Sequence, residues 1–124
     1  MARALKLKPS MVNIDQLLHY HKEVVIEVMM EEIASGRNPF TAMNLSRWKE
    51  VSIIGYDVCY RAQGDVVRVH FRFLKDGDWT KHIGLFELES MREFLLDRKL
   101  DFWMRGFVIN ENLTWDNVVE TAQS

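Results

Sequence analysis

The stretch "DVVRVHFRFLKDGDWTKHIG", residues 65–84, constrains the fold most. Val67, Val69, Phe71 and Phe73 alternate with Arg68, His70 and Arg72. A period of two sends successive side chains to opposite faces, so this run is a strand with one face on a core and one face open. Turn-forming residues lie on both sides, Gln63-Gly64 before it and Lys75-Asp76-Gly77 after it. Strands are therefore expected at about 50–61, 66–74 and 79–86, joined as an antiparallel meander.

The turns set the register, because a slip of one residue exchanges the two faces of a strand. A two-residue turn at Gln63-Gly64 pairs Ala62 with Asp65. A three-residue turn at Lys75-Asp76-Gly77, with Gly77 left-handed, pairs Leu74 with Asp78. The apolar face then reads Tyr60/Val67/Leu85, Val58/Val69/Ile83, Tyr56/Phe71/Lys81 and Ile54/Phe73/Trp79. The polar face reads Gly55/Arg72/Thr80, Asp57/His70/His82 and Cys59/Arg68/Gly84.

Helical periodicity flanks the strands. Asn13 is a good N-cap with Gln16 three residues on, and Gly36 sits where a helix-ending glycine belongs, so a helix is expected over 13–36. Ile14, Leu17, Leu18, His21, Val25, Val28 and Met29 share its apolar side. "RNPFTAMNLSRW", residues 37–48, breaks at Asn38-Pro39 and is then too apolar for a free loop. Ser90-Met91-Arg92-Glu93 reads as a capping box opening a second helix. Met91, Phe94, Leu95 and Phe102 form one stripe of that helix. Leu96, Leu100 and Trp103 form another on the opposite side. Gly106 ends the pattern, "FVIN" can make a short strand, and Thr114 can cap a last short helix, "WDNVVETAQ". The fold class is α+β, with an N-terminal helix, a three-stranded antiparallel meander, and one long and one short C-terminal helix on its apolar face. The domain is expected over 13–124, behind a basic arm at 1–12 holding Arg3, Lys6 and Lys8.

A chain of 124 residues can bury one core without disulfides or a metal. The net charge of −2 gives no overall basic field to attract nucleic acid or a lipid surface. The lone Cys59 cannot form an internal disulfide, there is no long apolar run, and "MARALKLKPS" lacks an apolar signal core. A cytoplasmic protein without membrane contact, metal or cofactor is expected.

Three candidate surfaces follow. Arg68, His70, Arg72 and His82 on the polar face are candidates for binding an anion or nucleic acid. No aromatic platform accompanies them in this register, and the second helix begins acidic, "ESMREFLLDR". Asp57 beside His70, with Cys59 near Arg68, has the residue types for acid–base or thiol chemistry. As a metal site the row fails, because three residues in line span about 10 Å and cannot all reach one ion. The third surface is Leu96, Leu100, Trp103 and Arg105. A helix apolar on two sides is covered on two sides, by the last segment of the chain or by another protein. The favoured expectation is a small non-enzymatic binding protein acting through protein contacts, as an inhibitor, adaptor or regulatory subunit, with homodimerisation through this helix. A nucleic-acid module is the alternative and an Asp57–His70 enzyme the third reading. His21 and Met29 are read as core residues, and His19 as a surface partner of Glu23.

Overall fold

Where the backbone hydrogen bonds of the alternating stretch go decides the architecture. A computed structural model describes residues 9–35 and 49–112. The elements are β1 (Ser10–Val12), α1 (Ile14–Tyr20), α2 (Lys22–Ala34), β2 (Lys49–Cys59), β3 (Val66–Lys75), β4 (Asp78–Glu87), α3 (Leu88–Leu96), α4 (Lys99–Trp103) and β5 (Phe107–Ile109). β2, β3 and β4 form an antiparallel sheet in that order, with β3 in the middle. β1 and β5 form a separate parallel pair. The protein is α+β, a three-stranded antiparallel meander with helices before and after it. Segment 37–48, Gly36 and the helix expected at "WDNVVETAQ" lie outside the described residues, as do residues 1–8.

Asn13 and Gln16 close the expected capping box. The Gln16 backbone N–H donates to Asn13 Oδ1 at 2.8 Å, and the Asn13 N–H donates to Gln16 Oε1 at 3.0 Å. The single helix expected over 13–36 is instead two. His21 leaves helical geometry at φ −128° and ψ 48°, and its ring packs on Phe107 with centroids 4.6 Å apart. The break gives each segment its own buried side, Ile14, Leu17 and Leu18 on α1, and Val25, Val28 and Met29 on α2. Ser10–Val12, at the end of the expected basic arm, form β1, and Val12 is in the core.

The C-terminal helix is also divided, between Leu96 and Lys99. α3 starts at Leu88 with Glu87 as N-cap, so Ser90 lies inside the first turn and is not the cap. Met91, Leu95 and Phe102 are buried, as their stripe implies. Gly106, at φ +91°, turns the chain from α4 into β5, a backbone state that glycine adopts without strain.

The sheet register departs from expectation at both turns. Asp76 and Gly77 both have positive φ, 53° and 84°, which makes a two-residue turn with Lys75 paired to Asp78. Relative to a three-residue turn this is a slip of one, and every β4 side chain changes face. Thr80, His82, Gly84 and Phe86 stand opposite Phe73, Phe71, Val69 and Val67 on the helix-covered face. Trp79, Lys81, Ile83 and Leu85 stand on the open face with Leu74, Arg72, His70 and Arg68. Between β2 and β3 the loop spans 60–65, and the pairs are Val58 with Val67 and Tyr56 with Val69. That is a slip of two, which keeps the faces and changes the partners. A bulge at Ile54 then puts Ile53 in the core and Ile54 outside.

The core gathers Phe71, Val67, Val69, Tyr56 and Ile53 of the sheet under Leu17, Leu18, Val25, Met29, Met91, Leu95 and Phe102. The Tyr56 hydroxyl donates to the Leu18 carbonyl at 2.6 Å, which satisfies the buried phenol, and burial raises its pKa. Glu32 is buried on α2, with the Arg98 guanidinium Nε 3.0 Å from its carboxylate. Arg98 also lies over the Phe94 ring at 3.9 Å.

Two substitutions test the register. Phe71→Ala should lower the unfolding free energy in urea by about 3–5 kcal/mol, the cost of a large cavity in a packed core. Trp79→Thr, on the open face and half exposed, should cost about 1 kcal/mol or less. A comparable loss from both would place Trp79 inside and refute the slip.

Candidate functional site

β2, β3 and β4 carry every candidate on the sheet. Because β3 pairs Arg68 with Asp57 and with Leu85, the first cross-strand row of the open face is Asp57/Arg68/Leu85. The next is Gly55/His70/Ile83, with Ile54 bulged beside Gly55, and the third is Ser52/Arg72/Lys81. The expected row Asp57/His70/His82 therefore does not form. His82 is on the opposite face, its ring tilted against Phe71 at 6.5 Å, and it shares no cross-strand row with Arg68, His70 or Arg72.

Asp57 is still the centre of a polar cluster. Arg68 Nε donates to its Oδ1 at 2.6 Å, and Cys59 Sγ donates to the same oxygen at 3.3 Å. His70 Nε2 lies 3.3 Å from Oδ2, reached diagonally across the ladder. The Arg68 guanidinium is the main reason the Asp57 carboxyl is held at about 2, well below its ordinary 3.8. This pairing is chemically different from an acid that orients a histidine. The carboxylate is bonded first by Arg68, at 2.6 Å, and His70 is the more distant partner at 3.3 Å. The Asp57 side chain is 39 % exposed, so its bonds are made in contact with water.

The rest of the open face is apolar to a degree that the expected register hides. Ile54, Trp79, Ile83 and Leu85 are between 49 and 58 % exposed. Trp79 has the Arg72 guanidinium 4.2 Å over its ring. A shallow pocket of about 420 Å³ runs beside Ile54, Gly55, His70, Lys81 and Ile83. Gly55 leaves room there, with no atom near the position of a Cβ.

The structure separates the four residues expected to form an interface, with Leu96 ending α3, Leu100 and Trp103 on α4, and Arg105 beyond it. Leu100 and Trp103 point to solvent, joined by Met104, all three between 56 and 71 % exposed. Leu96 is half-buried against the core. Arg105 is a clasp instead of a contact residue. Its Nε donates to Glu27 at 2.6 Å, another guanidinium N–H bonds Glu31, and Nη1 donates to the Asp101 carbonyl at 2.8 Å. A guanidinium in reach of two carboxylates on α2 is spent on joining α2 to α4.

One groove has no counterpart in the sequence reading. It holds about 520 Å³ between α1, the 60–65 loop and the start of α3, with Asp15, His19, Tyr60, Asp65, Glu89 and Arg92 among its walls. His19 Nε2 is 2.7 Å from the Tyr60 hydroxyl, so His19 serves Tyr60 across 41 positions of chain. Arg92 bonds Asp15 and approaches Glu89 and Glu111 at 3.3 and 3.7 Å. The six-residue loop brings Tyr60 to α1, whereas the expected two-residue turn places it in the sheet. Among the described residues no group of three or more His, Cys, Asp or Glu is arranged to hold a metal ion, and no helix is long and apolar enough to cross a membrane.

The chain matches no protein-family model, no curated protein and no solved structure. The function has to be read from these surfaces alone.

Arg68→Ala should bring the Asp57 carboxyl back up toward 3.8, followed by carboxylate NMR titration. The folded-state value is depressed, so the Asp57 contribution to stability is present above 3.8 and fades as the pH falls toward 2. The variant should lose that component of acid sensitivity. An Asp57 that still titrates near 2 without Arg68 would show that another group holds it.

Proposed function

We propose that this protein is a non-enzymatic binding domain that grips a protein partner through Leu100, Trp103 and Met104 at α4. The observation that carries this reading is the anchoring of that exposed apolar patch. Phe102, between Leu100 and Trp103, is fully buried, and Arg105 ties the end of α4 to α2. A rigid mount lowers the entropy lost when side chains become fixed against a partner. Tryptophan in such a setting is a common centre of binding energy. Glu27 and Glu31 are both met by Arg105, so the complementary partner surface follows from apolarity, as a pocket that takes the tryptophan.

The test is capture of partners from an extract of the native cells, with and without nuclease, by the wild-type chain and by Trp103→Ala. The expected outcome is a protein retained regardless of nuclease, with affinity reduced at least about tenfold by the substitution, as for a hot-spot residue. Circular dichroism should be unchanged, because the removed side chain is exposed. Retention that is indifferent to Trp103→Ala overturns the proposal.

A second reading, single-stranded nucleic acid on the open face of the sheet, is favoured by one observation. Trp79 is half exposed beside Arg72 and Lys81, the pairing of aromatic surface and positive charge that base stacking uses. It predicts oligonucleotide binding that weakens steeply with salt. Replacing both Arg68 and Arg72 by Ala should then lower the affinity at low salt. Binding that is unaffected by the double substitution removes this reading.

A further inference from the structure

Strand β4 carries the segment Lys81-His82-Ile83-Gly84-Leu85-Phe86-Glu87, which is complementary to itself when reversed. We propose that two copies of this chain pair antiparallel through β4, with Gly84 opposite Gly84, and so join their meanders into one six-stranded sheet. The proposal stands on the sheet edge and is independent of the α4 patch.

The two edges of the sheet are built differently. β2 has two breaks of register and a positive φ of 52° at Glu50, irregularities that discourage a further strand. β4 pairs with β3 without interruption from Val66–Glu87 to Lys75–Asp78. Among the described residues it has a strand on one side only. A straight edge of ten residues is an unusually open template.

The backbone is set for this pairing. The Leu88 N–H donates to the Asp65 carbonyl at 3.0 Å, so the even-numbered residues direct their N–H and C=O groups to β3. In an antiparallel ladder the direction alternates, and Lys81, Ile83, Leu85 and Glu87 direct theirs outward. Centring the two-fold axis on Gly84 makes Ile83 and Leu85 exchange hydrogen bonds across the joint. The same is true of Lys81 and Glu87.

Charge and apolarity select that register over its neighbours. Around Gly84, Lys81 meets Glu87 at both ends, and Ile83 meets Leu85 twice, all on the open face. His82 meets Phe86 on the other face. An axis on Ile83 leaves Lys81 against Leu85, and an axis on His82 leaves it against Ile83. An axis on Lys81 sets two ammonium groups together. Lysine on an edge strand normally deters pairing. Here the strand supplies the matching carboxylate itself. Ile83 and Leu85, 52 and 58 % exposed in the single chain, are covered in the pair.

Light scattering across a concentration series tests the proposal, with circular dichroism as a check on folding. The wild-type chain should be dimeric at micromolar concentration. Lys81→Glu sets like charges together at both ends and should raise the dimer Kd about tenfold or more. Glu87→Lys should do the same. The Lys81→Glu chain mixed with the Glu87→Lys chain should associate as a heterodimer, since each then carries the charges the other lacks. Leu85→Pro removes an N–H that faces away from β3, so the monomer keeps its ladder and the dimer is lost. Trp103→Ala should leave the dimer intact. A wild-type chain that stays monomeric throughout overturns the proposal. So does a dimer indifferent to Lys81→Glu and Leu85→Pro, or two charge variants that fail to associate when mixed.

Discussion

The Asp76-Gly77 turn governs the rest of the sheet. Two successive residues in the left-handed region close the hairpin with the twist that antiparallel strands require. Glycine takes that geometry freely, and aspartate tolerates it better than most residues. Once Lys75 faces Asp78, every partner along β3 and β4 is settled, and so is the face each β4 side chain occupies. The open face holds an isoleucine, a leucine and a tryptophan among its cations because of this one turn.

The covered face has a different logic. β3 is central, and Val67, Val69, Phe71 and Phe73 meet β2 on one side and β4 on the other. α2 lies against β2 and α3 against β3 and β4, and the alignment of the helices is held by charge. Arg105 joins α4 to α2, Arg98 reaches the buried Glu32, and Arg92 links α3 to α1 through Asp15. Each arginine bridges elements far apart in sequence. The buried partner matters most, because the Glu32 carboxylate is largely shielded from water and Arg98 stands 3.0 Å from it.

The fold class was legible because it rests on long, regular signals. The alternation at 66–73 and the Asn13–Gln16 cap each involve several residues that agree. The site was less legible because it depends on parity. "KDG" supports a two-residue or a three-residue turn, and choosing the three-residue form moved His82 beside His70 and put Ile83, Leu85 and Trp79 inside. The Asp-Gly pair was itself the better signal. The alternation of β4 gave no warning, since Phe86 and Gly84 face the core while larger aliphatic residues face outward. The bulge that turns Ile54 out has a signature in the adjoining Gly55, since a lone glycine within a strand often marks a bulge, whereas the break at His21 has no neighbouring glycine or proline. Arg105 shows the opposite difficulty. Its residue type suits an interface, and its α2 partners, Glu27 and Glu31, lie more than seventy positions away.

What β4 places outward is best understood from what its inner face allows. On its inner face β4 has small or polar residues, with Gly84 buried, Thr80 half-buried and His82 exposed. Strand propensity still has to come from somewhere, and in β4 it comes from Trp79, Ile83 and Leu85 on the other face. A monomer gains little from exposing such residues, because half of their apolar surface stays in water. An ordinary solvated face would reach the same propensity with threonine and charged pairs. The placement of Lys81 and Glu87 at equal distances from Gly84, with Ile83 and Leu85 between, adds a symmetry that neither solvation nor propensity calls for. Pairing with a second copy is a use for that symmetry that also satisfies the β4 edge, which has no further strand among the described residues.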